Sequence, residues 1–223
     1  MSEIIYSELE LLSLNNQIEK IKQLDLNDID ENECNKMFTR ACEKGNIEII
    51  KYIYKFCSNE IFNHGIYACL YFTHIESATY IFNNIINNVN EFEKYIFYSY
   101  QVFFHLDNFE AINFLLNNLP DYTISCCSFC DGLSGCPFLI GIKQNSYKSV
   151  KIFLDFVIKY KDYNCLNEIL NKFENHCFYT ACENNYLEIT KYLCEINKNY
   201  HIEFDDENKL ITNYYIETNN NYF

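Results

Sequence analysis

The sequence predicts an all-α protein of repeated helix–turn–helix units stacked into a solenoid, with about five to six degenerate repeats and little or no β-structure. Three observations predict it. Two sixteen-residue segments, Phe38–Ile53 and Phe178–Leu193, align without a gap and share eight identities at a separation of 140 residues. Weaker copies surround them, and their anchor positions Glu19, Glu48, Glu76, Glu110, Lys148 and Glu188 lie 29, 28, 34, 38 and 40 residues apart. Within each copy, apolar residues recur at helical spacing on both sides of a tight turn.

Each element of one unit follows from its residues. Phe38 to Glu43 reads as a short helix with Phe38, Ala41 and Cys42 on its apolar side. Gly45 supplies the left-handed residue that ends it, and Asn185 does so in the late copy. Asn46 reads as the N-cap of a second helix, with Glu48 in the first turn, where the helix dipole favours negative charge. Ile47, Ile50, Ile53 and Tyr54 form that helix's apolar stripe, with Lys51 and Lys55 outward. Ala41 and Ala181 are small where paired helices must approach. Such a pair cannot bury its own apolar face, so consecutive pairs must stack.

The stretch Ala41-Cys-Glu-Lys-Gly-Asn-Ile-Glu-Ile-Ile-Lys-Tyr-Ile53, with its counterpart Ala181–Leu193, resembles the second half of the ankyrin repeat. The family's first-half Thr-Pro-Leu-His pattern is replaced by Lys36-Met-Phe-Thr39 and His176-Cys-Phe-Tyr179, so no clean β-hairpin is expected. A one-residue insertion, Phe72-Thr-His74, is read into the third copy. The Asn-, Ile- and Tyr-rich style is similar to that of ankyrin proteins from giant DNA viruses and A/T-rich protists. The resemblance implies a non-enzymatic protein–protein interaction scaffold that binds a host or virion protein.

Organisation follows as one continuous domain. Residues 1–33 form an N-terminal cap with a degenerate repeat and the acidic loop Asp25–Glu33, residues 34–200 carry ankyrin-like repeats, and residues 201–223 form a C-terminal cap and tail around a helix Asn208–Glu217.

Seventeen basic and 31 acidic side chains leave a net charge of −14, which argues against nucleic acid and for a protein partner with a basic or mixed surface. No apolar run approaches the ~20 residues that span a bilayer, so no membrane partner is expected. The acidic N-terminus lacks a signal-peptide pattern, and none of the 31 Asn is followed two residues later by Ser or Thr. Both predict an intracellular, cytoplasmic protein whose 12 Cys are reduced thiols.

The sharpest local anomaly is the Cys126–Cys136 segment. Cys126, Cys127, Cys130 and Cys136 offer an alternative zinc set, with Cys165 or His176 as distant substitutes; the favoured reading is an inter-repeat loop with no metal and no cofactor. Gly132–Gly135 fails as a nucleophile elbow because position 136 is Cys, and Asp28, Asp30 and Asn32 fail as a calcium loop because Glu33 and Thr39 occupy its Gly and Glu positions. No catalytic residue is assigned. A hidden Cys–His enzyme and a self-assembling structural component are the alternatives. Tyr52, Phe56, Tyr80, Phe82, Phe114, Phe153 and Phe156 are assigned to the core, while Tyr71, Phe72, Phe103 and Phe104 are candidates to face a groove.

Overall fold

A computed structural model describes residues 7–86, 92, 99–121, 136–160, 163–171 and 176–200. Among them there are helices and turns and no strand. The chain gathers into two compact units, Met1–Ile96 and Phe97–Phe223. The first holds α1 (Glu8–Leu14), α2 (Ile18–Ile21), α3 (Glu31–Lys44), α4 (Ile47–Ile53, continued by a 3₁₀ turn), α5 (Glu60–Tyr71) and α6 (Ile75–Asn84). The second holds helical residues 99–105, then α7 (Phe109–Asn118), α8 (Pro137–Lys143), α9 (Tyr147–Tyr160), α10 (Tyr163–Asn171), α11 (His176–Glu183) and α12 (Leu187–Tyr200). The expected cap helix Asn208–Glu217 and the tail lie outside the described residues.

Local chemistry sets the helix starts. Ser7 and Glu10 form a reciprocal capping box, the Ser7 hydroxyl accepting from Glu10 N–H at 3.2 Å and the Glu10 carboxylate from Ser7 N–H at 3.0 Å. Asp30 caps α3 by accepting from Asn32 N–H at 2.8 Å, so the acidic stretch acts as a helix start. Pro137 occupies the first turn of α8, where its missing N–H costs nothing.

One turn recurs six times. Asn16, Gly45, Thr73, Asp107, Asn145 and Asn185 all have left-handed backbones, with φ between 51° and 66°. The residue after each donates its N–H five positions back: Asn46 to Ala41 at 2.9 Å, His74 to Cys69 at 2.7 Å, Asn108 to Phe103 at 2.9 Å, Ser146 to Gly141 at 2.8 Å, Tyr186 to Ala181 at 2.9 Å and Gln17 to Leu12 at 2.9 Å. Asn46, His74 and Asn108 (φ −77°, −85° and −79°; ψ 73°, 66° and 75°) then make an inverse γ-turn into the next helix. The Asn108 side chain caps α7, accepting from Ala111 N–H at 3.0 Å, but that of Asn46 does not cap α4. It donates to the Ser13 carbonyl at 2.6 Å, in the preceding turn.

The same bonds remove the inserted residue read at 72–74. Cys69, not Ala68, stands where Ala41 stands, and Phe72 matches Lys44 with no insertion between them.

Packing in the first unit places α1 on α3, α3 on α5, and α4 on α6. The buried set is Met37, Phe38, Ala41, Cys42, Ile49, Ile50, Ile53, Ile66, Cys69 and Leu70. Ile49 rather than Ile47 turns inward, Ile47 being half-buried. Gly65 lets α5 approach so closely that a Cβ there would meet the Phe38 ring and come within 3.0 Å of Cys42 Sγ. In the second unit α7 packs on α9, α9 on α12, and α8 on α11. Its aromatic centre is Phe153, with Phe104 edge-on at 5.8 Å and Phe138 at 5.3 Å. Phe103 and Phe104 are thus fully buried and face no groove.

Candidate functional site

Successive turns are tied to one another by side chains. In the first unit His74 Nε2 donates to the Glu43 carbonyl at 3.0 Å, which fixes the tautomer, and Ser77 Oγ donates to the Gly45 carbonyl at 3.2 Å. In the second, Ser149 N–H donates to Asp107 Oδ1 at 2.8 Å and Tyr186 OH to the Lys143 carbonyl at 3.0 Å. Within each unit the turns therefore form a tied row that leads into the exposed starts of the second helices.

On two of those helices the repeated glutamate is the partner of a lysine. Glu19 pairs with Lys22 at 2.8 Å and Glu48 with Lys51 at 2.7 Å, one helical turn on. The hydrogen bonds raise both lysine pKa values above the ordinary 10.5. The Lys51 ammonium also lies 5.5 Å from the Tyr80 ring centroid, and Lys151, bonded to Asp155 at 2.8 Å, lies 4.5 Å from that of Tyr192. These carboxylates do structural work on a solvated helix face.

The zinc set is not assembled among the described residues. Cys126, Cys127 and Cys130 lie outside them, Cys136 is buried immediately before α8, and no group of three His, Cys, Asp or Glu among the described residues could hold a metal ion. Six of the nine described thiols do not resemble nucleophiles either. Burial pushes the thiols of Cys34, Cys42, Cys57, Cys177, Cys182 and Cys194 up, whereas a reactive cysteine needs its thiolate favoured. An open cleft of about 360 Å³ between the ends of α7 and α9 is lined by Leu116, Asn117, Pro120, Asp121, Phe156 and Tyr160, a set without thiol or imidazole.

Of the aromatics assigned to the core, Phe114 and Phe153 are buried, while Tyr52, Phe56, Tyr80, Phe82 and Phe156 are half-exposed. Tyr71 and Phe72 do reach the surface, at the end of α5. Sequence reasoning missed the Lys51–Tyr80 and Lys151–Tyr192 pairs, whose only signal was a Lys-Tyr or Lys-Ile pair at one register of three copies.

No protein-family model, no curated protein and no solved structure matches the chain. No helix among the described residues is long and apolar enough to cross a membrane.

Proposed function

We propose that this chain is a non-enzymatic interaction scaffold of ankyrin-like repeats that binds a partner protein with a basic or mixed surface. The observation that carries the reading is the turn. Among the described residues its six left-handed positions are separated by 29, 28, 34, 38 and 40 residues, the intervals of the anchor positions (five glutamates and Lys148), each of which follows three residues later. A chain that repeats one backbone device through such different side chains is repeating an architecture, and stacked units of this kind bind through extended surfaces instead of a single deep site. The net charge of −14 favours a cationic partner. Under this reading the partner is a host or virion protein, and the elevated thiols speak against the Cys–His enzyme.

Two measurements test it. Deleting residues 46–73 removes one period and joins Gly45 to His74. A repeat architecture keeps a single cooperative urea transition and a similar helical fraction; loss of cooperative folding sinks the repeat reading. Cross-linking of the full chain in native extract, read by mass spectrometry, then tests binding. A reproducible cationic partner linked through the turn rows and exposed helix faces is expected, and its absence counts against the scaffold.

A further inference from the structure

We infer that the third and fourth turns, around Thr73 and Asp107, are docking points for a partner segment in which an apolar side chain neighbours arginine or lysine. This deepens the scaffold reading and rests on it. At four of the six turns the residue before the left-handed position is polar: Asn15, Lys44, Gln144 and Asn184. At the same four, the residue six positions after it is lysine: Lys22, Lys51, Lys151 and Lys191. The third and fourth turns depart from both rules at once. Phe72 and Leu106 replace the polar residue, and they are 47% and 48% exposed. Thr79 and Asn113 replace the lysine.

The two departures have a joint consequence. Glu76 and Glu110, three residues past the turn, have no lysine one helical turn on. Thr79 turns its hydroxyl back to the Ile75 carbonyl at 2.8 Å, and Asn113 is bonded by Asn117. A carboxylate that is salt-bridged beside Lys22 and Lys51 has no salt bridge among the described residues beside Thr79 and Asn113, Glu76 meeting only the Lys51 charge beyond ion-pair distance, at the turns that also present an apolar side chain to water.

The backbone does not ask for Phe72 or Leu106, since Asn, Lys and Gln build the same turn. Phe72 is held edge-on by Tyr71, with ring centroids 5.0 Å apart and an interplanar angle of 79°, so its ring is a fixed platform. At the fourth turn Lys148 lies 5.2 Å from the Phe109 ring centroid, which leaves Leu106 as the apolar element there. An exposed apolar residue beside a carboxylate that no lysine salt-bridges, on a chain of net charge −14, complements an apolar residue flanked by a cation.

The test is a heteronuclear NMR titration of the full chain with three synthetic peptides: glycine-arginine-leucine-arginine-glycine, the same peptide with glutamate for arginine, and the same with glycine for leucine. Saturating amide shifts confined to residues 71–76 and 105–110, produced by the arginine–leucine peptide alone, are expected. Phe72→Asn with Thr79→Lys, and Leu106→Asn with Asn113→Lys, install residue types the other turns already carry, so the fold is retained. Each pair should weaken binding at its own turn by roughly fivefold or more, the factor that about 1 kcal/mol represents. Equal shifts from the arginine–glycine peptide, or binding unaffected by the paired substitutions, would overturn the inference. Saturable binding of the arginine–leucine peptide on another face would overturn it too while leaving the scaffold reading standing. That reading fails separately, on the cross-linking experiment.

Discussion

The Lys151 ammonium lies 4.5 Å from the centroid of the Tyr192 ring, one turn-to-turn interval further along the chain, and the Tyr192 hydroxyl in turn donates to Asp155, the carboxylate that Lys151 salt-bridges at 2.8 Å. The three side chains close a triangle that joins α9 to α12. Burial, followed by the bond to Asp155, drives the Tyr192 phenol far above the ordinary 10.0, so it stays a donor at any physiological pH. A double-mutant cycle of Lys151→Ala and Tyr192→Leu should give a coupling of about 0.5–1 kcal/mol from urea unfolding. Tyr192→Phe keeps the ring and should preserve most of the coupling. Strict additivity of the single changes would mean that the triangle contributes nothing.

Turn conformation gives two substitutions of opposite sign. Gly45 has φ +66°, and a Cβ there would stand 2.7 Å from His74 Cγ and Nδ1. Gly45→Ala should therefore lower stability by about 1–3 kcal/mol, from left-handed strain and from displacing the imidazole that ties two turns together. Thr73 carries a β-branched side chain at φ 63°, a conformation such residues resist. Thr73→Gly should raise stability by up to about 1 kcal/mol. Urea midpoints at unchanged slope measure both, and a shift in the same direction for the two would contradict the assignment.

The spacing of the turns was readable from the sequence, although glycine occupies only one of the six left-handed positions. The glutamate three residues later carried the register, because the first turn of a helix favours a carboxylate whatever the turn is made of. Asn16, Asn145 and Asn185 were individually weak signals in a chain with 31 Asn. Which face of α4 is buried was not readable. Ile47, Ile49, Ile50 and Ile53 fill so much of the helix that periodicity cannot choose between neighbouring stripes, and packing on α6 and α3 decides for Ile49. The lysine–tyrosine pairs between successive helix pairs escaped for a different reason. Lys51 and Tyr80 meet only through stacking, and nothing local to either residue announces the other. The contrast between Lys44 and Phe72 at one register becomes visible only when the insertion read at 72–74 is removed from the alignment.

The Glu10 carboxylate links α1 to α3. Burial alone would raise its pKa, but the Ser7 N–H and then the Arg40 guanidinium, 3.0 Å away, outweigh it and hold the group below the ordinary 4.5. A folded-state pKa below the unfolded value stabilises the fold above the unfolded pKa, and that contribution is lost as pH falls through the lowered one. Urea midpoints should therefore drop between pH 6 and pH 3 by less in Glu10→Gln than in the unchanged chain. An equal drop in both would place the acid sensitivity elsewhere.

The thiols supply the sharpest check on the non-enzymatic reading. Burial pushes Cys57 and Cys182 up to about 12 and Cys194 to about 11. At pH 7.5 their thiolate fractions are then on the order of 10⁻⁴, against about a tenth for an ordinary cysteine. Iodoacetamide should alkylate these three residues roughly a thousandfold more slowly in the native chain than in urea, as read by peptide mass spectrometry over time. Their partial exposure makes the contrast informative, because access alone would not protect them. Fast labelling of one cysteine with a rate that rises through pH 6–7 would reveal an activated thiolate, and with it the chemistry of a Cys–His enzyme that a pure binding scaffold has no use for.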